Sequence, residues 1–320
     1  KAALKTPPAE WLQQDKDGKP LPSWYGGEYK PACMNNPDWR TYQKFMVSAQ
    51  INTGHDGIFF DNPTVHTDGC YCSYCMAGFV KFMKGEGRLV ADTSTAAMRR
   101  MAQEYVKDFK RYRCTIARDF FAEMRAHARS LNPNAVVTAN NSLNQQDVLF
   151  SQCHLYAYNI QEMSKTEDWV VIEDMSAQPR IMPDGKLMEC APTYAQLQAI
   201  IHDKPLVAVT VAEGDYHTPP NLVRLAMCEA AAHKTGYMVW STWPEEQRAR
   251  MIAAIRPCAD WLRTHAELIN ASIPRQDVLV FFPFRNWVNT KECAVTKIAS
   301  TLTAANVQYA VISEENLSSA

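Results

Sequence analysis

The sequence has no apolar run approaching the roughly 20 residues that span a bilayer, and its first residues do not read as a signal peptide. Lys1 leads straight into loop-like sequence, "KTPPAEWLQQDKDGKPLPSWYGG", so the chain reads as cut at its N-terminus, with cytoplasm and periplasm equally open. An excess of one charge is also missing. With 33 Lys and Arg against 34 Asp and Glu the net charge is −1, which gives no basis for a nucleic-acid partner or a membrane surface. Gly-rich phosphate loops of either nucleotide-binding type are absent, which argues against a dinucleotide fold. What remains is the composition of a globular protein long enough for one large domain and part of another. Its 8 Trp and 13 Tyr suit stacking on sugar rings as well as core packing.

From Asp38 onward, short apolar strands alternate with amphipathic helices. The strands read as "GIFFD" (57–61), "AVVTANN" (135–141), "DWVVIED" (168–174), "KPLVAVTVAEGD" (204–215) and "GYMVWSTW" (236–243). Helices are expected over 38–54, in one long run from Thr95 to Leu131, around Leu155 to Met163, over 193–202 and 219–234, and from Glu245 to about Ile269. Strands apolar along their whole length belong in a buried parallel sheet. Five units are too few for a closed (β/α)₈ barrel, so either three units precede Lys1 or the sheet is open, and the first is preferred. After about Ile273 the pattern restarts as one βαβ unit, "QDVLVFFPF", a helix over 290–305 and "VQYAVIS". The expected organisation is therefore an N-terminally incomplete barrel domain over 1–272 and the start of a second α/β domain over 273–320.

Chemistry gathers at the C-terminal ends of strands in such folds. The residues found there are Asp61 and Asn62, Asn140 and Asn141, Glu173 and Asp174, Glu213 with Asp215 and His217, and Trp240 with Trp243. Acid/base chemistry at such an edge commonly uses two carboxyl groups, one as proton donor and one as base or nucleophile. Asp61 leads as a catalytic candidate because it ends an apolar strand and opens a loop; a carboxylate that only orders the next turn is its bland alternative. Glu213 and Glu173 follow as catalytic candidates, and the Asn, Asp, His and Trp residues as sugar-binding ones, with core filling the alternative for the two Trp.

Cys70, Cys72 and Cys75 form a Cys-x-Cys-x-x-Cys group able to supply three thiolates from one turn. A closed tetrahedral Zn²⁺ site needs a fourth ligand, for which Cys33 and His66 are both open. The remaining cysteines, 114, 153, 190, 228, 258 and 293, are isolated in apolar patterns and read as buried free thiols.

"TPPAEWLQQDKDGKPL", "ACMNNPDWRTY", "FFDNP" and "CYCSYCMAGFVKFM" together resemble the glycoside hydrolase family 42 β-galactosidases and their uncharacterised glycosyl-hydrolase-like relatives. The resemblance runs from about Thr6 to the end of the chain. It implies a TIM barrel whose first three strands precede Lys1, and Cys33, Cys70, Cys72 and Cys75 as the ligands of a structural Zn²⁺. It also implies a flavodoxin-like trimerisation module over "DVLVFFPF…AANVQYAVISEENL", hence a homo-oligomer, with a trimer as its form. One departure stands out. The family's fourth strand ends Asp-Asn-Glu, with the Glu as general acid, whereas this chain has Asp61-Asn62-Pro63. The family's nucleophile position falls near Thr210, which is not a carboxylate. Asp61 also resembles the nucleophile of α-L-fucosidases, an Asp that ends the fourth strand. The expectation is a glycoside hydrolase acting on a galactoside-, fucoside- or uronate-type glycan, with a non-catalytic sugar-binding barrel as the alternative.

Overall fold

The computed structural model describes residues 8–22, 30–61, 64–142, 148–174, 181, 184–186, 190–210, 219–239, 243–290 and 292–317; for 141–142, 148–151, 173–174 and 210 it describes the backbone alone. The chain forms two compact units, one of residues 1–137 and 150–167, the other of residues 138–149 and 168–320.

The first unit is built on α1 (Pro37–Ile51), β1 (Gly57–Phe60), α2 (Ser73–Gly85), α3 (Thr95–Glu104) and α4 (Val106–Leu131). α1 begins where the Asn36 side chain accepts from the backbone N–H groups of Asp38 (2.8 Å) and Trp39 (3.1 Å), with Pro37 at the first helical position. Along α4, Phe109, Tyr112, Ile116, Phe120 and Met124 recur at helical spacing and are all buried. Phe60, at the end of β1, meets Phe120 and Phe121 edge-on at 6.0 and 5.4 Å. β1 runs beside the opening of β2 (Val136–Ser142), where Val136 N–H donates to the Asp56 carbonyl at 3.0 Å. Only glycine fits at position 57, since a Cβ there would lie 2.2 Å from the Val136 carbonyl oxygen. Not all of β1 is buried as expected: Ile58 is, but Phe59 is half-exposed.

The long helix expected over 95–131 is two helices. Tyr105, at φ −98° and ψ 57°, ends α3 and precedes α4 with no Pro or Gly to mark the break. The Arg88 guanidinium stands 5.4 Å over the Tyr105 ring, a tertiary contact at the break itself. The helix expected around 155–163 also divides, into α5 (Val148–Leu155) and α6 (Ile160–Ser164). Ala157 between them has a positive φ of 56°, and Asn159 caps α6 by accepting from Gln161 N–H at 3.1 Å.

In the second unit β2, β3 (Val170–Asp174), β4 (Leu206–Thr210) and β5 (Thr235–Val239) pair in that order, all parallel. Their registers align Ser142 with Glu173, Glu173 with Val209 and Val209 with Met238, so the four C-terminal ends lie level along one sheet edge. α7 (Ala191–Gln198), α8 (Pro220–Ala232), α9 (Glu245–Thr264) and α10 (Ala266–Ala271) alternate with or follow these strands. Val223 and Met227 of α8 pack with Trp243 and with Met251 and Ile255 of α9 in a buried cluster. β6 (Val278–Phe282) and β7 (Tyr309–Ser313) form a separate two-stranded parallel sheet, joined through α11 (Phe284–Thr290) and α12 (Val295–Ala304). The helix expected over 290–305 is thus the shorter α12. Ser313 Oγ donates to the Ala199 carbonyl at 2.6 Å, and Thr296 Oγ1 to Gln196 Oε1 at 3.2 Å, fixing β7 and α12 beside α7. Among the described residues no helix is long and apolar enough to cross a membrane.

Candidate metal centre and strand-end residues

Cys70 lies in the turn ahead of α2, Cys72 is the N-cap of that helix and Cys75 lies in its first turn. Cys33 reaches them from the segment before α1, held there because its N–H donates to the Trp11 carbonyl at 2.6 Å. All four are buried, and their sulfurs lie within 4.8 Å of one another. Cys33 Sγ is 3.4 Å from Cys72 Sγ and 3.5 Å from Cys75 Sγ. A disulfide would require about 2.05 Å. Tetrahedral zinc with bonds of about 2.3 Å sets its sulfurs about 3.8 Å apart, which is the scale seen here. The donor set therefore fits a soft, tetrahedral ion.

The fourth sulfur in the cluster is that of Cys33. His66 is buried but engaged elsewhere: its Nδ1 accepts from Asp68 N–H at 3.0 Å, and its own N–H donates to Gln13 Oε1 at 2.8 Å. Gln13 also donates from Nε2 to the Ala32 and Thr64 carbonyls, at 2.9 and 3.3 Å, so one buried amide pins the segment before α1 to the cysteine loop.

Electrostatics favour thiolate at this point. Hydrogen bonds from the Cys33, Cys70 and Cys75 thiols pull the Cys72 sulfur far below the ordinary thiol range. Cys72 also accepts from Cys75 N–H, 3.5 Å away at the N-terminus of α2, where backbone dipoles favour negative charge. The hydrogen bond with Cys70 holds the Cys33 thiol high, and that with Cys33 does the same for Cys75. Protons thus stay on Cys33 and Cys75 beside the Cys72 anion. A bound dication would displace them and stabilise four anions together.

Three residues that the sequence pattern did not single out support the cluster. Asn35 Nδ2 donates to Cys75 Sγ at 3.5 Å and to Tyr112 Oη at 3.0 Å. Tyr112 Oη donates to the Cys75 carbonyl at 2.7 Å. Arg113 is only 3% exposed and donates from Nη2 to the carbonyls of Val65 (3.2 Å), His66 (2.5 Å) and Leu155 (3.4 Å). Burial pulls its pKa down, and the carbonyls it meets through Nη2 offset part of that cost and tie the cysteine loop to the end of α5, while its Nε stays without a hydrogen-bond partner among the described residues. The available signal was an Arg on the apolar stripe of α4, between Phe109 and Ala117.

Asp61 directly follows β1 and is exposed. Asn140 is buried near the end of β2, and Asn141 is its next residue. Glu173 and Asp174 are the last two residues of β3, level with Val209 and Thr210 of β4. Trp243 is 3% exposed within the α8–α9 cluster, a core position. Asn62, Glu213, Asp215, His217 and Trp240 lie outside the described residues. An open cavity of about 460 Å³ is lined by Asn35 and by residues of α2 and α4, among them Tyr74, Lys81 and Tyr112. None of its lining residues ends a strand.

Residues 4–112 match a family model described as hypothetical glycosyl hydrolase family 15, about a third of the chain. Solved structures match over nearly all of it. The β-galactosidase from Bacillus circulans sp. alkalophilus superposes with a TM-score of 0.66 at 16% identity, covering 97% of this chain and 53% of that one. The β-galactosidase from the haloarchaeon Halorubrum lacusprofundi gives 0.68 at 15%, covering 98% and 56%. The family 42 exo-carrageenase from Bacteroides ovatus gives 0.68 at 11%, covering 97% and 49%. The fold is related to that of the family 42 glycosyl hydrolases. At these identities the likeness concerns the fold alone, and the chain spans about half the length of the enzymes it matches. No curated protein sequence matches it.

Proposed function

We propose that the protein is a glycoside hydrolase whose β1 to β5 belong to a (β/α)₈ barrel, acting on a galactoside-, fucoside- or uronate-type glycan. The observation that carries this reading is the superposition of almost the whole chain on family 42 enzymes, which carries the strand ends of this sheet over to a fold that works at its strand ends. Those neighbours include β-galactosidases and an exo-carrageenase, which favours a glycan substrate of the galactoside type among the three classes. Asp61 is the proposed nucleophile and Glu213 or Glu173 the acid/base. Asn62, Asn140, Asn141, Asp174, Asp215, His217 and Trp240 are the proposed sugar-binding residues. Pro63, where the family has its acid, favours one second reading, a sugar-binding barrel without turnover.

The test is Asp61→Asn in the full-length natural protein, against a panel of aryl galactosides, fucosides and uronides. A lost nucleophile should cost on the order of 10³-fold or more in kcat, while melting temperature and metal content hold. Azide should restore part of the rate. Near-normal turnover in Asp61→Asn would move the nucleophile to Glu213, and no turnover by the wild type on any glycan would leave the binding reading.

We also infer a structural Zn²⁺ held by Cys33, Cys70, Cys72 and Cys75. Four thiolates leave no open position, so such an ion organises the fold rather than reacting. Cys33→Ser should lose most bound metal in elemental analysis, and His66→Ala should keep it. Full occupancy in Cys33→Ser would remove Cys33 from the set.

A further inference from the structure

Cys228 and Cys258 are not the isolated buried thiols that their sequence surroundings suggest. Cys228 is exposed on α8, Cys258 is half-buried on α9, and their sulfurs are 3.7 Å apart. The two helices pack side by side through the Val223, Met227, Met251 and Ile255 cluster, against which Cys258 itself rests. Cys258 Sγ also points at the Arg224 carbonyl, one turn before Cys228 on α8, at 3.8 Å. Of the cysteines outside the metal centre, only this pair has its sulfurs in mutual contact among the described residues. Pro257 immediately precedes Cys258 inside α9 and leaves one backbone rung unmade there. That gives the strand of backbone carrying Cys258 the slack to let the sulfurs close to the roughly 2.05 Å of a disulfide.

We propose that Cys228 and Cys258 form a reversible dithiol–disulfide site that reacts with low-molecular-weight disulfides. The exposed Cys228 loses its proton to solvent and attacks one sulfur of the incoming disulfide. The S–S bond breaks, one thiolate leaves and is protonated, and the other half stays on Cys228 as a mixed disulfide. Cys258 then loses its proton and attacks the Cys228 sulfur, expelling the second small thiol. Two protein thiols are oxidised and one small disulfide is reduced to two thiols. Burial, with the Cys228 hydrogen bond second, pushes the Cys258 thiol up to about 11, so the exposed Cys228 attacks first, and contact with the Cys228 sulfur offsets the small thiolate fraction of Cys258 in the second step. The product staples α8, which follows the C-terminal end of β4, to α9, which follows that of β5.

The experiment is to incubate the reduced, metal-loaded full chain with oxidised glutathione, quench with N-ethylmaleimide and map peptides without reductant. The expected product joins the Cys228 and Cys258 peptides with no glutathione attached, and dithiothreitol reverses it. In Cys258→Ser, glutathione should instead remain on Cys228. Recovery of both wild-type thiols as maleimide adducts would overturn the proposal. So would a wild type that keeps glutathione on Cys228 as the Ser variant does.

Discussion

Tyr112 and Gly78 show how one missing carbon can hold a buried cluster of four cysteines in place. The Tyr112 hydroxyl reaches the Cys75 carbonyl only because it passes over the backbone of α2 at Gly78, where a Cβ would lie 2.1 Å from Oη and 3.0 Å from Cζ. Gly78→Ala must push the ring away, breaking its bond to Cys75 and loosening packing against Phe79 and Phe109, whose rings lie 5.4 and 6.2 Å from it. Chemical denaturation should show a loss of about 2 to 3 kcal/mol, although alanine is the better helix former. Tyr112→Phe alone should cost about 1 kcal/mol. Adding it to Gly78→Ala should recover part of the loss, because the nearest clashing atom is gone. Full additivity of the two would show that the ring does not sit over Gly78. At this scale the sequence displayed the cysteines but not their supports. Three cysteines in six positions are visible in any listing of residues, whereas Asn35, Tyr112 and Arg113 act through contacts 37 to 77 positions away along the chain. Cys33 likewise joins the cluster through backbone that brings residue 33 to residue 72, which spacing alone does not encode.

Between elements, the clearest electrostatic joint is Glu123 of α4, whose two carboxylate oxygens accept from Arg40 and Lys44 of α1. Burial raises the Glu123 pKa, but the hydrogen bonds from Lys44 and Arg40 outweigh it and hold the group below the usual carboxylate range. A carboxylate with a lowered folded-state pKa stabilises the fold above its unfolded value of about 4.3, and that contribution fades as pH falls through the folded value. The side chain is 33% exposed, so solvent screening limits the joint to about 1 kcal/mol. Glu123→Gln should therefore melt below wild type at pH 7, with the gap closing as the pH drops below about 4. A gap that stays constant down to pH 3 would show that packing, not charge, carries the effect. Elements differ in how far local sequence specifies them. β3 and β4 were legible because a buried parallel strand is apolar on both faces, a pattern that survives without knowledge of its neighbours, whereas β5 is apolar in sequence yet leaves Met238 47% exposed. The breaks at Tyr105 and at 156–159 were not, since the first has a ring–cation contact beside it and the second an uncommon backbone at Ala157, neither with Gly or Pro to announce it.

For the molecule as a whole, the strand–helix alternation already carried the α/β class, and the superpositions extend it to the family 42 type of fold. Function was less legible at this scale, because paired carboxylates are defined by separation in space while a sequence offers only order. Assembly is the remaining level, and β6 gives it a physical handle. Val280 and Phe282 of that strand are buried, whereas the alternating Leu279 and Phe281 are about half-exposed, and Ile298 of α12 is similarly open. Parallel sheets are stable when both faces are covered, so an apolar face of this kind is one that further packing would bury. We propose that residues 273–320 open a flavodoxin-like module through which the natural protein forms a homotrimer. Sedimentation of the full-length natural protein at micromolar concentration should then give a mass three times that of the chain, and Phe281→Glu should shift the distribution toward smaller species. A clean monomer under those conditions would assign the exposed face of β6 to packing within one chain, and would separate the carbohydrate chemistry proposed for the barrel from any need for assembly.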